Sequence, residues 1–224
     1  MAKGTPENGA TLLVMAGGES RRMGRDKLLL PVPPKGVPLI RHVVERLLPI
    51  VERAIVLAND AKICAALHRT GTGGFDVGPA AAGSPARVDC IADDESRQGP
   101  LGGLATGLRR VEGWSLAVAG DMPFVSPSVC EYLLGLVEDN CDAIVAVVDG
   151  RAQPLHALYH RRCLPAVGKS LAAGSRRMDS FWGDIRVREI AGETLRPFDP
   201  ELRSFFNTNT PAEWEEALAF LSRG

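Results

Sequence analysis

A short segment near the amino terminus places two glycines beside several cationic side chains. An apolar run from Leu12 to Ala16 ends at a glycine pair, and basic residues follow: Arg21, Arg22, Arg25 and Lys27. Glycine has no Cβ, so its backbone can approach a ligand closely and point N–H groups at it. Arginine and lysine add donors and positive charge that suit phosphate oxygens. The segment therefore predicts a loop that binds a phosphate chain.

The pattern of this loop differs from two common phosphate-binding motifs. It is neither G-x-x-x-x-G-K-[ST] nor G-x-G-x-x-G, which disfavours a Walker A loop and a dinucleotide-binding dehydrogenase. It resembles the L-A-G-G-x-S-x-R-M-G-x-D-K signature of nucleotidyltransferases, in particular the molybdenum cofactor guanylyltransferases. Met15 stands where that pattern usually has leucine, and the following residues match the rest of it: Ser20, Arg22, Met23, Gly24, Asp26 and Lys27.

A carboxylate that suits a metal ion follows a later hydrophobic run. The segment Gly120-Asp121-Met122-Pro123 resembles the C-D-x-P segment of the guanylyltransferases. Mg²⁺ takes hard oxygen ligands, usually one or two carboxylates together with phosphate oxygens. We therefore expect Asp121 to bind Mg²⁺ beside a triphosphate. The alternative is a turn aspartate that caps a helix, because Asp is common in turns.

The resemblance implies further contacts with the nucleotide. An aspartate a few residues before G-P-L-x-G helps to hold it in that family; Asp93 takes this position, and Asp94 or Glu95 are alternatives. An asparagine near the end of the second predicted strand also binds it. The family position falls on Leu57 here, so Asn59, two residues later, is the candidate. The expected nucleotide-binding residues are Met15, Ala16, Gly17, Gly18, Lys27, Asn59, Asp93, Gly99, Pro100, Leu101 and Asp121.

The last third of the chain contains segments that resemble the acceptor-binding part of the same family. They are Pro154 to Leu158 (P-x-x-A-L), Ala173 to Arg177 (A-G-x-R-R) and Phe206 to Pro211, which contains the N-x-N-T-P part of F-x-N-x-N-T-P. Arg176 and Arg177 offer an anion site for a phosphorylated acceptor. The side-chain amides of Asn207 and Asn209 are expected to bind the pterin or the nucleotide. His156 is interpreted as a strand residue and not as a catalytic base.

The resemblance implies transfer of GMP from GTP to Mo-molybdopterin, with Mg²⁺ as cofactor, release of pyrophosphate, and Lys27, Arg22 and Asp121 as catalytic residues. Related cytidylyltransferases carry alanine at the position of Gly17, which favours guanine here. Other molybdenum cofactor enzymes or target molybdoenzymes are the expected protein partners. Three alternatives stay open: cytidylyl transfer to the same cofactor, nucleotidyl transfer to a sugar 1-phosphate, and GTP binding without turnover.

Composition fits a globular protein with a sizeable core. The 224 residues are 45% hydrophobic and carry a net charge of −1, which argues against nucleic-acid and membrane-surface binding. A spanning segment or signal peptide is not predicted, so we expect a cytoplasmic monomer. Because the five cysteines lack C-x-x-C spacing, they are interpreted as reduced thiols, without a disulfide framework or a zinc site.

Periodicity predicts an α/β fold with strands alternating with helices. Predicted strands cover 54–58, 87–91, 114–119 and 142–148, and polar residues follow their carboxyl ends. Such strands form a mostly parallel sheet that binds ligands at that edge.

Less regular elements are expected later: a strand at 153–159, a helix at 161–173, a short helix from Ser175 through Trp182, strands at 185–189 and 204–206, and a capping box at Thr210–Glu213. With the resemblance, this indicates a single-domain three-layer Rossmann-like nucleotidyltransferase fold spanning 1–224, with about 11–150 binding the NTP and about 151–224 the acceptor.

Overall fold

The computed structural model describes residues 9–17, 26–67, 87–92 and 99–222. The strands in this part of the chain are β1 (Thr11–Met15), β2 (Pro31–Val32), β3 (Val37–Pro38), β4 (Arg53–Leu57), β5 (Arg87–Ile91), β6 (Trp114–Ala119), β7 (Ala143–Val148), β8 (Arg151–His160) and β9 (Val187–Ala191). The α-helices are α1 (Leu39–Leu47), α2 (Ala61–Leu67), α3 (Gly99–Leu108), α4 (Pro127–Leu134), α5 (Leu164–Ala172), α6 (Gly192–Leu195) and α7 (Pro211–Leu221).

The main sheet confirms the predicted mostly parallel architecture. Within the described residues it has seven strands in the order β5-β4-β1-β6-β8-β7-β9. The strand β8 runs antiparallel to both of its neighbours, and the other pairs are parallel. The strands β2 and β3 form a small antiparallel hairpin beside the main sheet.

The register of the sheet brings four strand ends to one level. Met15 lies opposite both Leu57 and Ala119, and Leu57 lies opposite Ile91. Three further backbone hydrogen bonds of 3.0 Å extend the ladder beyond the strands: Ala16 N to Leu57 O, Ala58 N to Ile91 O and Gly120 N to Met15 O. The residues that follow the four strands therefore leave the sheet at a common edge.

Helices cover both faces of this sheet, as the three-layer prediction requires. Because side chains alternate along a strand, Val14 and Val118 pack among residues of α1, α2, α4 and α7. Leu13 and Ala117 point to the other face and pack against α3 and α5. Among the described helices, none has both the length and the apolar character needed to cross a membrane.

The predicted capping box of α7 is confirmed, and α4 also begins with a side-chain cap. Ser126 Oγ accepts a hydrogen bond from Val129 N at the start of α4. Thr210 and Glu213 form a reciprocal capping box at the start of α7. Such caps pair N–H groups that have no partner inside the helix.

Two predicted elements of the last third are wrong. Arg203–Phe205 form a 3-10 turn where a strand was predicted, because Asp199 Oδ2 accepts from Ser204 N at 2.7 Å and closes the chain locally. The short helix from Ser175 to Trp182 is replaced by turns and a 3-10 helix at Trp182–Asp184. Here the Ser180 hydroxyl donates to Arg177 O at 2.8 Å, and such local side-chain bonds compete with a helix.

The prediction that all cysteines are reduced is wrong for one pair. Cys64 of α2 and Cys90 of β5 form a disulfide that joins the helix to the strand at the edge of the sheet. The remaining cysteines are free and buried, as expected: Cys130, Cys141 and Cys163. Burial raises the pKa of Cys163 to about 12, so this thiol stays protonated at neutral pH.

We predict opposite stability changes from the same substitution in two helices. A Cβ added to Gly107 of α3 would lie 2.7 Å from Leu13 Cδ1, whereas one added to Gly168 of α5 would meet no atom of the described residues within 4 Å. Gly107→Ala should lower the free energy of unfolding by about 1–3 kcal/mol through overpacking. Gly168→Ala should raise it by about 0.5–1 kcal/mol through helix propensity. Urea denaturation measures both, and equal effects would contradict the close packing of α3 on β1.

Candidate active site

The structure brings Lys27, Asp121 and Asn209 into contact. Lys27 Nζ forms an ion pair with Asp121 Oδ2 and donates a second hydrogen bond to Asn209 Oδ1 at 2.9 Å. The Lys27 and Asp121 side chains are only 17% and 13% exposed. Their attraction is therefore screened less than that of a surface pair. The three residues form a partly buried cluster at the edge where β1 and β6 end.

A capped 3-10 turn places Lys27. The turn spans Lys27–Leu29, and Asp26 Oδ1 accepts a hydrogen bond from Leu28 N at 3.0 Å. Leu28 and Leu30 are buried in the core below. The aspartate of the loop signature thus caps this turn, and the turn directs the ammonium of Lys27 towards β6.

Gly120 allows this turn to approach the end of β6. A Cβ at Gly120 would lie 2.9 Å from Ile40 Cδ1 and 3.3 Å from Leu28 Cδ2. A side chain would therefore push the turn that carries Lys27 away from Asp121. The sequence interpretation assigned no role to this glycine; its place directly before Asp121 was the available signal.

Backbone-directed hydrogen bonds hold the segment that carries Asp121. Thr208 donates to Asp121 O twice, from its backbone N at 3.1 Å and from Oγ1 at 3.2 Å. His42 Nε2 donates to Pro123 O at 2.9 Å, and Arg46 Nε donates to Val125 O at 2.8 Å. Burial lowers the pKa of His42. Because these contacts use the backbone, the Asp121 carboxylate stays available to Lys27 or to a ligand.

The cap of α7 fixes Asn209. Glu213 Oε2 accepts from Asn209 N at 2.7 Å and from Thr210 N at 2.8 Å. The sequence predicts the capping box, but it does not predict that the cap places Asn209 beside Lys27. Asn209 was expected to bind the pterin or the nucleotide; in the structure its side-chain oxygen accepts from Lys27.

The predicted nucleotide-binding residues differ in what they present at this edge. Met15, Ala16 and Leu101 have buried side chains, so a ligand contact there would have to use backbone atoms. Gly17 is exposed, and a Cβ there would meet no atom of the described residues within 4 Å. Asn59 is exposed directly after β4, and Gly99 and Pro100 begin α3. Gly18, Arg22 and Asp93 lie outside the described residues.

The two predicted acceptor arginines have different surroundings. Both are exposed, but Arg177 binds Asp179 through two hydrogen bonds, at 3.0 and 2.7 Å. This interaction lowers the pKa of Asp179 and raises that of Arg177. Within the described part of the chain no acidic group pairs with Arg176, whose carbonyl lies 4.0 Å from a Cβ built on Gly99. Arg176 is therefore the better placed of the two to bind an anion near α3.

The oxygen atoms of this site suit a magnesium ion that is shared with a phosphorylated substrate. Asp121 supplies a carboxylate, and Asn207 Oδ1 is buried without a hydrogen-bond partner among the described residues. No group of three or more His, Cys, Asp or Glu side chains in those residues could hold a metal ion. Because Mg²⁺ commonly binds one or two carboxylates, waters and phosphate oxygens, this donor set fits it better than a site built entirely from protein ligands.

His156 lies in the core and away from the cluster. It is fully buried, with Nε2 3.3 Å from Cys130 Sγ, Nδ1 3.3 Å from Ser204 O, and its ring tilted against Phe205 at 4.5 Å between centroids. Burial lowers its pKa to about 4. The residue supports the turn at 203–205 that leads to Thr208 and Asn209, which fits the interpretation of His156 as a structural residue.

This buried imidazole predicts an acid-dependent loss of stability. The pKa of His156 is about 4 in the folded protein, against the ordinary histidine value of 6.5 in the unfolded chain, so the unfolded chain binds more protons between these values. Stability should be complete above pH 6.5 and fall towards pH 4, by on the order of 1 kcal/mol per pH unit. His156→Gln, which does not titrate there, should show a shallower loss in urea denaturation. Parallel pH profiles for the two proteins would contradict this prediction.

Comparison with known proteins finds relatives over most of the chain. A family model described as MobA-like NTP transferase domain matches residues 12–187. Probable molybdenum cofactor guanylyltransferases of Natranaerobius thermophilus and Natronomonas pharaonis are 28% and 33% identical, covering 94% and 95% of this chain and 96% and 98% of the relatives. The crystal structure of molybdopterin-guanine dinucleotide biosynthesis protein A from Archaeoglobus fulgidus is 27% identical, with a TM-score of 0.77, covering 96% of this chain and 100% of that one.

Proposed function

We propose, from the premise that this chain belongs to the family of MobA-like NTP transferase domains, that it is a molybdenum cofactor guanylyltransferase. The reaction transfers GMP from GTP to Mo-molybdopterin and releases pyrophosphate. The observation that supports it most strongly is the contact of Lys27 with both Asp121 and Asn209, because it gathers a cation and a metal-binding carboxylate at the edge where such sheets bind ligands.

The chemistry requires little proton transfer from the protein. The terminal phosphate of the acceptor is a monoester whose second pKa is near 6, so it is already an ionised nucleophile at neutral pH. The site must align it with the α-phosphorus of GTP, and alignment contributes up to about 7–11 kcal/mol in favourable cases. Lys27 stabilises the negative charge that develops on the phosphates as pyrophosphate leaves. Arg22 is assigned the same role by its place in the loop signature.

Asp121 is the residue that would hold Mg²⁺ in this site. When bound, the ion neutralises charge on the phosphate oxygens and holds the triphosphate in one geometry. The fixed backbone of Asp121, anchored twice by Thr208, keeps its carboxylate in place while the substrate binds. His156 has no part in this reaction because it is buried in the core.

The space beside Gly17 supports guanine as the donor base. Packing against the described residues does not require glycine there, since a Cβ would meet none of their atoms within 4 Å. A ligand is therefore the better reason for the missing side chain. Arg176 is proposed to bind the acceptor phosphate, within an acceptor-binding part that begins near residue 151 and supplies Asn209 to the site.

The direct test of the proposed function is a transfer reaction. The protein is incubated with Mg²⁺, Mo-molybdopterin and one of GTP, CTP, ATP or UTP, and the product is identified by mass. The guanine dinucleotide should form from GTP at least about tenfold faster than any product from the other nucleotides. Preference for CTP, or tight GTP binding without pyrophosphate release, would overturn the proposal.

Removing either charge of the ion pair should abolish most of the transfer. Lys27→Ala and Asp121→Ala should each lower kcat/KM by about 100-fold or more, the magnitude typical for loss of one group that stabilises transition-state charge. Lys169→Ala removes an exposed lysine that pairs with Asp184 and should leave the rate unchanged. Pyrophosphate release measures the rates and thermal melting verifies the fold; a folded variant at either site with full activity would refute the role.

The two arginines after α5 should differ in their effect on the acceptor. Arg176→Ala should raise the KM for Mo-molybdopterin by about tenfold or more, since a charge-assisted hydrogen bond contributes about 1.5–3 kcal/mol. Arg177→Ala should raise this KM less, because the Arg177 guanidinium already donates two hydrogen bonds to Asp179. Steady-state kinetics at saturating GTP separate the two variants. A larger effect at Arg177 would show that this assignment is reversed.

A further inference from the structure

The ammonium of Lys27 forms an ion pair with the Asp121 carboxylate, which the proposed function assigns to the metal ion. A lysine ammonium has three N–H donors, and two of them are directed at Asp121 Oδ2 and Asn209 Oδ1. With no substrate present, Lys27 is thus the counter-ion of Asp121. A divalent cation that binds Asp121 must share or take over the carboxylate that this ammonium contacts through Oδ2, and the two cations repel each other at short range.

Asn209 offers Lys27 a second acceptor that does not depend on the Asp121 carboxylate. Its backbone is held by Glu213 Oε2, 2.7 Å from Asn209 N, and the preceding residue, Thr208, donates to the backbone carbonyl of Asp121. The position of Asn209 is therefore set by the cap of α7. An amide oxygen is neutral, so it can keep the hydrogen bond to Lys27 after the carboxylate has been taken by a cation.

We propose that Lys27 is an exchangeable counter-ion of Asp121: the metal ion takes over the carboxylate, and Asn209 retains the ammonium in the cleft, where its freed donor binds phosphate. The ammonium can then stay close to the bound metal ion because Asn209 Oδ1 replaces Asp121 as its hydrogen-bond acceptor. Asn209 is a positioning residue that acts through Lys27. The inference rests on the proposed function in taking Asp121 as the metal ligand.

Metal binding to the nucleotide-free protein tests the exchange. Mn²⁺ is titrated into the full-length protein, and free Mn²⁺ is followed by electron paramagnetic resonance. Lys27→Met, which removes the competing ammonium, should lower the Kd for Mn²⁺ by about fivefold or more. Lys169→Met removes the same charge at a distant exposed position and should change the Kd less than about twofold. Asp121→Asn should raise the Kd by about tenfold or more.

These metal titrations need neither GTP nor acceptor, so their outcome is separate from that of the transfer reaction. An unchanged or higher Kd in Lys27→Met would overturn the exchange, even if the protein transfers GMP. An Asp121→Asn variant with wild-type affinity would overturn it as well. If the transfer reaction fails but the Mn²⁺ Kd values follow the predicted order, the proposed GTP or acceptor substrate is wrong. The exchange of Lys27 for the metal ion is then still supported.

A double-mutant cycle tests whether Asn209 acts through Lys27. The probe is inorganic pyrophosphate with Mg²⁺, with its Kd measured by calorimetry for Asn209→Ala in the wild-type and Lys27→Met backgrounds. Asn209→Ala should weaken binding by about tenfold in the wild-type background and by less than about twofold beside Lys27→Met. Melting temperatures verify that the variants are folded. Equal losses in both backgrounds would mean that Asn209 acts independently of Lys27 and would overturn its role.

Discussion

The attraction between the Lys27 ammonium and the Asp121 carboxylate determines how the edge of this sheet can work. It can form because the register of β4, β1 and β6 aligns the strand ends, with Met15 opposite both Leu57 and Ala119. Gly120 then leaves the room that the turn carrying Lys27 needs. In a partly buried cleft such a pair would be costly to leave unbalanced. In the exchange proposed above, the same two groups remain paired until a metal ion and a triphosphate replace their contact.

Rigid backbone contacts surround this exchangeable pair. Asp121 O is bound by Thr208, Pro123 O by His42 and Val125 O by Arg46, so each anchor leaves the reacting side chains free. Phosphoryl transfer depends mainly on position and electrostatics, and a site whose backbone is held in this way suits that requirement. The buried His156 contributes from below by supporting the turn before Thr208.

Local signals in the sequence predict most of this arrangement, and long-range contacts account for what they miss. The apolar run of β1 and the capping box of α7 depend on neighbouring residues, and the structure confirms them. The bond of Lys27 to Asn209 joins residues 182 positions apart, and the Cys64–Cys90 disulfide joins a helix to an edge strand. Neither follows from spacing. At Ser204, one hydrogen bond from its backbone N to the Asp199 carboxylate overrides a strand-like pattern.

The central claim is tested most directly by a crystal structure with Mg²⁺ and a GTP analogue. This analogue carries a methylene group between its α- and β-phosphorus atoms. The account predicts triphosphate oxygens within about 2.7–3.2 Å of Lys27 Nζ and a Mg²⁺ ion at about 2.0–2.1 Å from a carboxylate oxygen of Asp121. Lys27 should keep its hydrogen bond to Asn209. A triphosphate bound elsewhere, with Lys27 and Asp121 still paired, would contradict the account.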